Sequence, residues 1–399
     1  MICSSLVMLP SGAGLAERLE IAAPPHLQCR VCVIVPVRNE AENIFRTLSA
    51  LANQVDYQGR SLPYSCYEVL LFANNCTDAS ADIAHYTTRQ YPGFAVHIVE
   101  RVMPPEESYI GRVRQLLMNE AYYRLRQLGR GQGIIASTDG DTQVSPTWVY
   151  ALMQDINNGA DAVGGRIVTH RSIVTGDYAR TYHLRSVGYR MLALQLEDYI
   201  TPDPSDPAPR HFQFYGANFA VTCQAYARAG GLPPVRTPED VAFRDALIRV
   251  GARLRHSPMV RVATSARHHG RTSIGLANQL AAWQSMGQRQ QTMLVEPAAA
   301  VEVRLLAKRD LRTLWQRARA ALPQSAATVG QLAARFAVSA EWLQEAIAQL
   351  WPFEFLYQQV ERQQQEEGLW QQCWELTPIE AAIADLRLRV AQRRYPNRS

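Results

Sequence analysis

Asp139-Gly140-Asp141 sets two carboxylates one residue apart, directly after the apolar run Ile134-Ile135-Ala136 and ahead of the helix-start signal Ser145-Pro146. Where a buried strand meets solvent, such a pair can hold a divalent cation, and the cation can in turn hold a diphosphate. The same spacing also serves as an ordinary turn cap, so its chemistry depends on what the chain brings to it. A second acidic pair lies in Pro238-Glu239-Asp240, ahead of an apolar helix. It reads as a helix cap, as a carboxylate fixed for general-base work, or as both.

The elements between these pairs alternate. Val31 to Val35 is continuous and β-branched, as a strand buried on both faces must be, and Pro36 is expected to end it. Glu40 to about Gln54 has helical spacing, with Ile44, Leu48 and Leu51 on one face. Strands follow at Tyr67–Phe72, Ala95–Val99 and Gly133–Ala136, separated by helices over about Ala79–Gln90 and Gly111–Leu128. This rhythm predicts an α/β fold, an open and mostly parallel sheet with helices on both faces. Ligands of such sheets bind beyond the carboxyl ends of the strands. Pro36-Val37-Arg38-Asn39-Glu40, Asn74-Asn75-Cys76-Thr77-Asp78 and Asp139-Gly140-Asp141 all fall at such ends. An amide there, on Asn39, Asn74 or Asn75, offers both a donor and an acceptor to the edge of a base.

Past the third loop the pattern changes. Helices are expected at Trp148–Asn157 and Tyr178–Leu196, strands at Ala162–Val168, near Phe214–Val221, and in short pieces near Leu254 and Val260. The proline-rich segment Thr201–Pro209 is a loop. From residue 277 the chain turns helical and rich in Gln and Ala. The expected organisation is an arm over 1–28, an α/β domain over 29–276 and a helical region over 277–399.

The 399 residues are 47% apolar and 19% charged, enough to bury a large core. A net charge of +5, from 41 basic and 36 acidic residues, is compatible with anionic ligands and gives no sign of nucleic acid. Lys308 is the only lysine. No apolar run reaches the roughly 20 residues that span a bilayer, and no secretion signal opens the chain. Seven scattered cysteines suggest no disulfide framework. Cys29 and Cys32 form a C-x-x-C with no second pair at zinc-ligand spacing, which reads as strand packing. A reducing cytoplasm, with or without peripheral membrane contact, is the expected location.

The motifs taken in order resemble family 2 glycosyltransferases of the GT-A, Rossmann-like fold. Val33-Ile34-Val35-Pro36-Val37-Arg38-Asn39-Glu40 is similar to their opening strand, and Asn74-Asn75-Cys76-Thr77-Asp78 to their second-strand nucleotide loop. Asp139-Gly140-Asp141 is similar to their D-x-D. Gly216-Ala217-Asn218-Phe219-Ala220 and Gly230-Gly231-Leu232-Pro233 resemble the approach to their acidic pair, here Glu239-Asp240. The likeness runs from about residue 31 to 275. It implies a Mg²⁺ or Mn²⁺ at Asp141, with Asp139 on the ribose or the metal, and a nucleotide-diphosphate sugar as donor. It implies Asp240 as base, with Glu239 orienting it or reaching the acceptor hydroxyl. Donor contacts are implied for Pro36, Asn39, Glu40, Asn75, Asp78 and Arg114. Ser265-Ala266-Arg267-His268-His269-Gly270-Arg271 resembles a loop in which His268 or His269 adds a metal ligand and Arg267 or Arg271 grips phosphate. The family more often has an acidic residue in the second loop, so Asn75 leaves the base open. Arg114 reads equally well as a surface helix arginine.

The helix carrying Arg180, Tyr182, His183, Arg185, Tyr189 and Arg190 reads as aromatic packing or as an acceptor wall. Without a Q-x-x-R-W signature, transfer of one sugar is expected over polymerisation, with inversion. A nucleotidyltransferase or dehydrogenase would carry glycines after the first strand, and Val37–Ala41 has none. A non-catalytic nucleotide-sugar scaffold remains the alternative from another class. The helical region offers a surface for self-association or a partner.

Overall fold

A computed structural model describes residues 15–169, 178–236, 238–264 and 276–395. In chain order the first elements are β1 (Val31–Val37), α1 (Ile44–Ala52), β2 (Tyr67–Asn74), α2 (Ser80–Arg89), β3 (Val96–Arg101), α3 (Ile110–Gln127), β4 (Ile134–Thr138), β5 (Thr142–Val144), α4 (Trp148–Asn157) and β6 (Ala162–Thr169). They are followed by α5 (Tyr178–Ile200), β7 (Asn218–Thr222), α6 (Cys223–Arg228), α7 (Glu239–Arg249) and β8 (Leu254–Thr264). The remainder is α8 (Leu276–Gln288), β9 (Leu294–Val295), α9 (Ala298–Arg319), α10 (Ala326–Phe336), α11 (Ala340–Ala348), α12 (Phe353–Glu367), α13 (Leu369–Cys373), β10 (Thr377–Pro378) and α14 (Ile379–Arg394).

Eight strands form one open sheet in the order β3-β2-β1-β4-β7-β6-β8-β5. The pairs β3/β2, β2/β1, β1/β4 and β6/β8 are parallel; β4/β7, β7/β6 and β8/β5 are antiparallel. The mostly parallel α/β sheet expected from the alternation is therefore present. Successive residues of β1 point to opposite faces. Val31, Val33 and Val35 pack with Ile44, Leu48, Trp148 and Leu152 from α1 and α4. Cys32 and Ile34 pack with Leu117 and Leu125 of α3 and Phe243 of α7. Burial on both faces is why β1 is apolar without alternation.

Several boundaries differ from the sequence reading. β1 runs past Pro36 to Val37, because β4 pairs with β1 only as far as Ile34 and leaves β2 alone beside the proline, opposite Phe72. A residue without N–H is tolerated where the ladder is one-sided. α1 begins at Ile44, not Glu40, since the backbone N–H groups of Glu40 and Ala41 go to Ser80 Oγ (2.7 Å) and Asp78 Oδ2 (3.0 Å). The two short strands near Leu254 and Val260 are one, β8, whose register against β6 shifts between Gly165 and Arg166. β7 starts at Asn218, and β5 was not anticipated.

Cys29 and Cys32 are buried, as packing requires. Their sulfurs lie within 4.8 Å of the Glu68 carboxylate. That carboxylate is already occupied: Arg124 Nε and Nη2 donate to its two oxygens at 2.9 and 2.8 Å, and the Cys32 thiol donates to Oε1 at 2.9 Å. Burial alone would push the Glu68 carboxyl up, but the bonds from Arg124, His97 and Cys32 hold it at about 2, below the ordinary 4.5. The sign follows from linkage. A depressed carboxyl stabilises the fold above the unfolded value and loses that contribution as pH falls towards 2. The shift corresponds to about 3 kcal/mol. Glu68→Gln is expected to lower the melting temperature at pH 7, with the gap to the natural protein closing between about pH 5 and 2. A gap independent of pH would refute the assignment.

Contacts between Cα atoms divide the chain into two units. The first contains the eight-stranded sheet with α1–α4, α6 and α7. The second contains α8–α14, the ribbon of β9 and β10, and also α5 with the loop through Phe212. The sequence drew its border at residue 277; α5 crosses it because Leu196 and Ile200 bury against Ala298, Val301 and Leu305 of α9 and Leu386 of α14. The aromatic residues of α5 serve packing within that unit. The Tyr182 and Tyr189 hydroxyls donate to the carbonyls of Gln291 and Glu296, and the Arg190 guanidinium lies 3.8 Å from the Phe212 ring centre. Lys308 is buried between Glu197 (2.9 Å) and Glu354 (3.1 Å). Among the described residues no helix is long and apolar enough to cross a membrane.

Candidate active site

Parallel pairing of β1, β2 and β4 brings the loops after all three to one rim of the sheet. β7 runs antiparallel to β4, with Thr138 opposite Asn218, so the segment entering β7 arrives at that rim too. Four loops and the start of α7 therefore supply the candidate groups.

The first two loops are stitched to one another. Asn39 and Asn75 both adopt left-handed backbone (φ 56° and 50°), a conformation that Asn tolerates better than most residues. Asn39 Oδ1 accepts the Thr77 N–H at 2.7 Å, and the Asn39 N–H donates to Cys76 Sγ at 3.4 Å. Asn75 spends both ends of its amide on one residue: Nδ2 donates to the Met103 carbonyl and Oδ1 accepts the Met103 N–H, each at 2.9 Å. Asp78 accepts N–H groups from Ala41 and Ser80. Glu40 is buried and accepts from Asn43 Nδ2 at 3.0 Å. Pro36 is inside β1. In this geometry the side chains of Asn75 and Asp78 shape the loops, and the polar edge they build comes largely from backbone.

The loop after β4 is anchored by Thr47, whose hydroxyl donates to the Gly140 carbonyl at 3.0 Å. Asp139 Oδ1 accepts from Arg114 Nη2 at 2.8 Å, yet the side chain remains 35% exposed. Desolvation pushes its carboxyl up to about 6, with Asp141 and Glu239 adding to the rise and Arg114 opposing it. Asp141 Oδ1 faces the hydroxyls of Thr142 (3.3 Å) and Thr264 (3.5 Å). Thr264, at the end of β8, reaches the site because β5 pairs with β8 and sets Thr142 opposite it. Thr264 belongs to no motif, and a separation of 123 residues leaves no local signal in the sequence.

The second acidic pair opens α7. Asp240 accepts the Gly216 N–H at 2.9 Å on Oδ2 and the Val241 N–H at 2.8 Å on Oδ1. Glu239 is buried and ion-paired with Arg114 Nη1. Arg114 therefore lies inside the protein, 2% exposed, in place of the surface position that its helix also allowed. Three contacts hold α3 against the segment leading to α7. Gln115 Nε2 donates to the Leu232 carbonyl at 3.0 Å, Tyr109 Oη donates to the Pro234 carbonyl at 3.3 Å, and a Cβ on Gly111 would stand 2.0 Å from the Val235 oxygen. Arg267, His268, His269 and Arg271 lie outside the described residues.

The structure thus brings Asp139, Asp141, Glu239, Asp240 and Arg114 together, with Ser137, Gly216 and Thr264 in support. The acidic groups offer oxygen alone, the donor set of hard divalent cations.

The chain is similar to several known proteins. Residues 32–209 match the model of the family described as glycosyl transferase family 2. Over 141 residues the chain is 30% identical to glycosyltransferase AglE of Haloferax volcanii, covering 34% of this chain and 39% of that one, so the match spans well under half of the relative. Among solved structures, the chain is similar to the mannosyltransferase PcManGT from Pyrobaculum calidifontis in complex with GDP-Man and Mn2+. That alignment has a TM-score of 0.40 at 15% identity and covers 96% of this chain and 92% of that chain. It is also similar to S. aureus TarS 1-349 in complex with UDP-GlcNAc, with a TM-score of 0.42 at 12% identity, covering 85% of this chain and 92% of that chain. The match to the glycosyl transferase family 2 model covers somewhat under half of the chain, and it contains the loops after β1, β2 and β4.

Proposed function

We propose that this chain transfers a single sugar from a nucleotide-diphosphate donor to a hydroxyl acceptor, with inversion at the anomeric carbon. The observation that carries the reading is the meeting of Asp139 and Asp141, at the end of β4, with Asp240, at the start of α7, on one rim through Gly216 and Arg114. Asp141 and the exposed side of Asp139 fit a Mg²⁺ or Mn²⁺, which would neutralise charge on the departing nucleoside diphosphate when bound. The loops after β1 and β2 present backbone groups and the side chains of Asn39 and Glu40 to the nucleoside.

Asp240 acts from the other side. Two backbone N–H groups hold its carboxylate at the first turn of α7, where the helix dipole favours negative charge. As the acceptor oxygen bonds to the anomeric carbon, Asp240 takes the hydroxyl proton. The bond from that carbon to the diphosphate oxygen breaks, and its electron pair leaves with the diphosphate. One displacement inverts the configuration.

A melting-temperature screen of UDP-, GDP- and dTDP-sugars with Mn²⁺ tests the donor site. A ligand that binds only the native state raises the melting temperature by mass action, about 2.7 kcal/mol of stabilisation at a hundredfold excess over Kd. One nucleotide class is expected to shift it, with the shift lost on chelation. No shift with any of them, with or without metal, would overturn the reading.

A further inference from the structure

Arg114 has a fully buried guanidinium with a carboxylate on each side. Nη1 meets Glu239, Nη2 meets Asp139 at 2.8 Å, and Asp240 adds a third negative charge nearby. Gly216 lies against the guanidinium, so that a Cβ there would come within 2.5 Å of Nη1. The Gly216 N–H holds Asp240, and its carbonyl accepts from Ser137 Oγ at 2.7 Å. One planar cation thus touches the donor-side acid and the residue before the base, and it packs on the glycine that orients the base.

We propose that Arg114 is a positioning residue that clamps the two halves of the site, and that Glu239 is its internal counter-ion, not an acceptor contact. Asp240 is then the one carboxylate of the pair left to take a proton. The inference rests on the roles given above to Asp139 and Asp240. It follows from shape and charge. A guanidinium fork can serve two carboxylates at once, whereas a lysine ammonium is a point charge that cannot span them with the same geometry. Glu239 is buried, so losing Arg114 strands it, and losing Glu239 leaves Nη1 of the buried guanidinium without its carboxylate while Nη2 keeps Asp139. A residue that gripped the donor directly would show no such dependence on Glu239.

The test is a double-mutant cycle with Arg114→Lys and Glu239→Gln, both close in size to the originals. Three quantities are read: the ligand-free melting temperature, the Kd of UDP or GDP with Mn²⁺, and kcat. Each single variant is expected to lower kcat by about a hundredfold, the loss that a small misplacement of reacting groups causes. The double variant is expected to be no worse than the weaker single, because members of one unit do not contribute independently. Glu239→Gln is also expected to weaken nucleotide binding by the same factor as Arg114→Lys, because the guanidinium that holds Asp139 shifts once Nη1 loses its carboxylate. Multiplicative losses in the cycle would overturn the clamp. So would a Glu239→Gln protein with natural nucleotide affinity and kcat. If no nucleotide binds the natural protein, the transferase reading fails by itself. The melting-temperature cycle then decides the clamp alone, additive shifts refuting it.

Discussion

Asp141→Asn is expected to reduce sugar transfer by a factor of about 10³ or more, the equivalent of the several kcal/mol that a cation supplies to a developing negative charge. The substitution isolates charge from shape. An Asn oxygen can still accept from the Thr142 and Thr264 hydroxyls that face Asp141 Oδ1 at 3.3 and 3.5 Å, so the turn after β4 should survive. The ligand-free melting temperature should therefore stay close to that of the natural protein. Two further readouts separate this account from general damage. Chelation should abolish transfer by the natural protein and lower the Asn variant little further. The metal-dependent increase in melting temperature with nucleotide should vanish in the variant. An Asn variant that transfers sugar at the natural rate, still in a chelator-sensitive way, would show that the cation is held elsewhere.

The sequence revealed the sheet because burial imposes composition. β1 and β2 are buried along their whole length, and their residues are apolar except for Glu68, which Arg124 pairs, and Asn74 at the end of β2. The three polar loops could be placed on one rim from parallel topology alone. What each side chain does there was less legible. Asn75 looked like a reader of bases because it has a donor and an acceptor, but the backbone of Met103 offers the complementary pair and takes both. Asp78, implied as a donor contact by the resemblance, accepts two N–H groups of the loops, a local role that its residue type did not announce. Arg114 lies 25 residues from Asp139 and 125 from Glu239, so no spacing rule connects them. β5 has three residues, too few for a period to register, although it is what brings Thr264 to Asp141. The border of the second unit escaped for a related reason. An amphipathic helix such as α5 announces that it has a buried face and does not say which neighbour covers it.

Asp240→Asn should separate proton removal from donor binding. Positioned general bases contribute roughly 10² to 10⁴ in rate, and kcat is expected to fall by that factor. Nucleotide affinity should hardly change, because Asp240 is anchored to the backbone of Gly216 and Val241. The amide is not wholly silent in structure. Both Asp240 oxygens accept N–H groups, and an Asn can satisfy only one of them while turning an NH2 towards the other. That mismatch costs about 1–3 kcal/mol and should appear as a lower melting temperature. Asp240→Ala is therefore the necessary companion, since it removes the carboxylate without turning an NH2 towards an N–H, although both N–H groups lose their acceptor. If both variants lose transfer to a similar degree, and both bind nucleotide as the natural protein does, the missing property is the basic oxygen. If the alanine variant recovers activity while Asn does not, the defect is the strained first turn of α7, and the proton must go to another group. A product with retained anomeric configuration would contradict the scheme independently, since a single displacement assisted by one base can only invert.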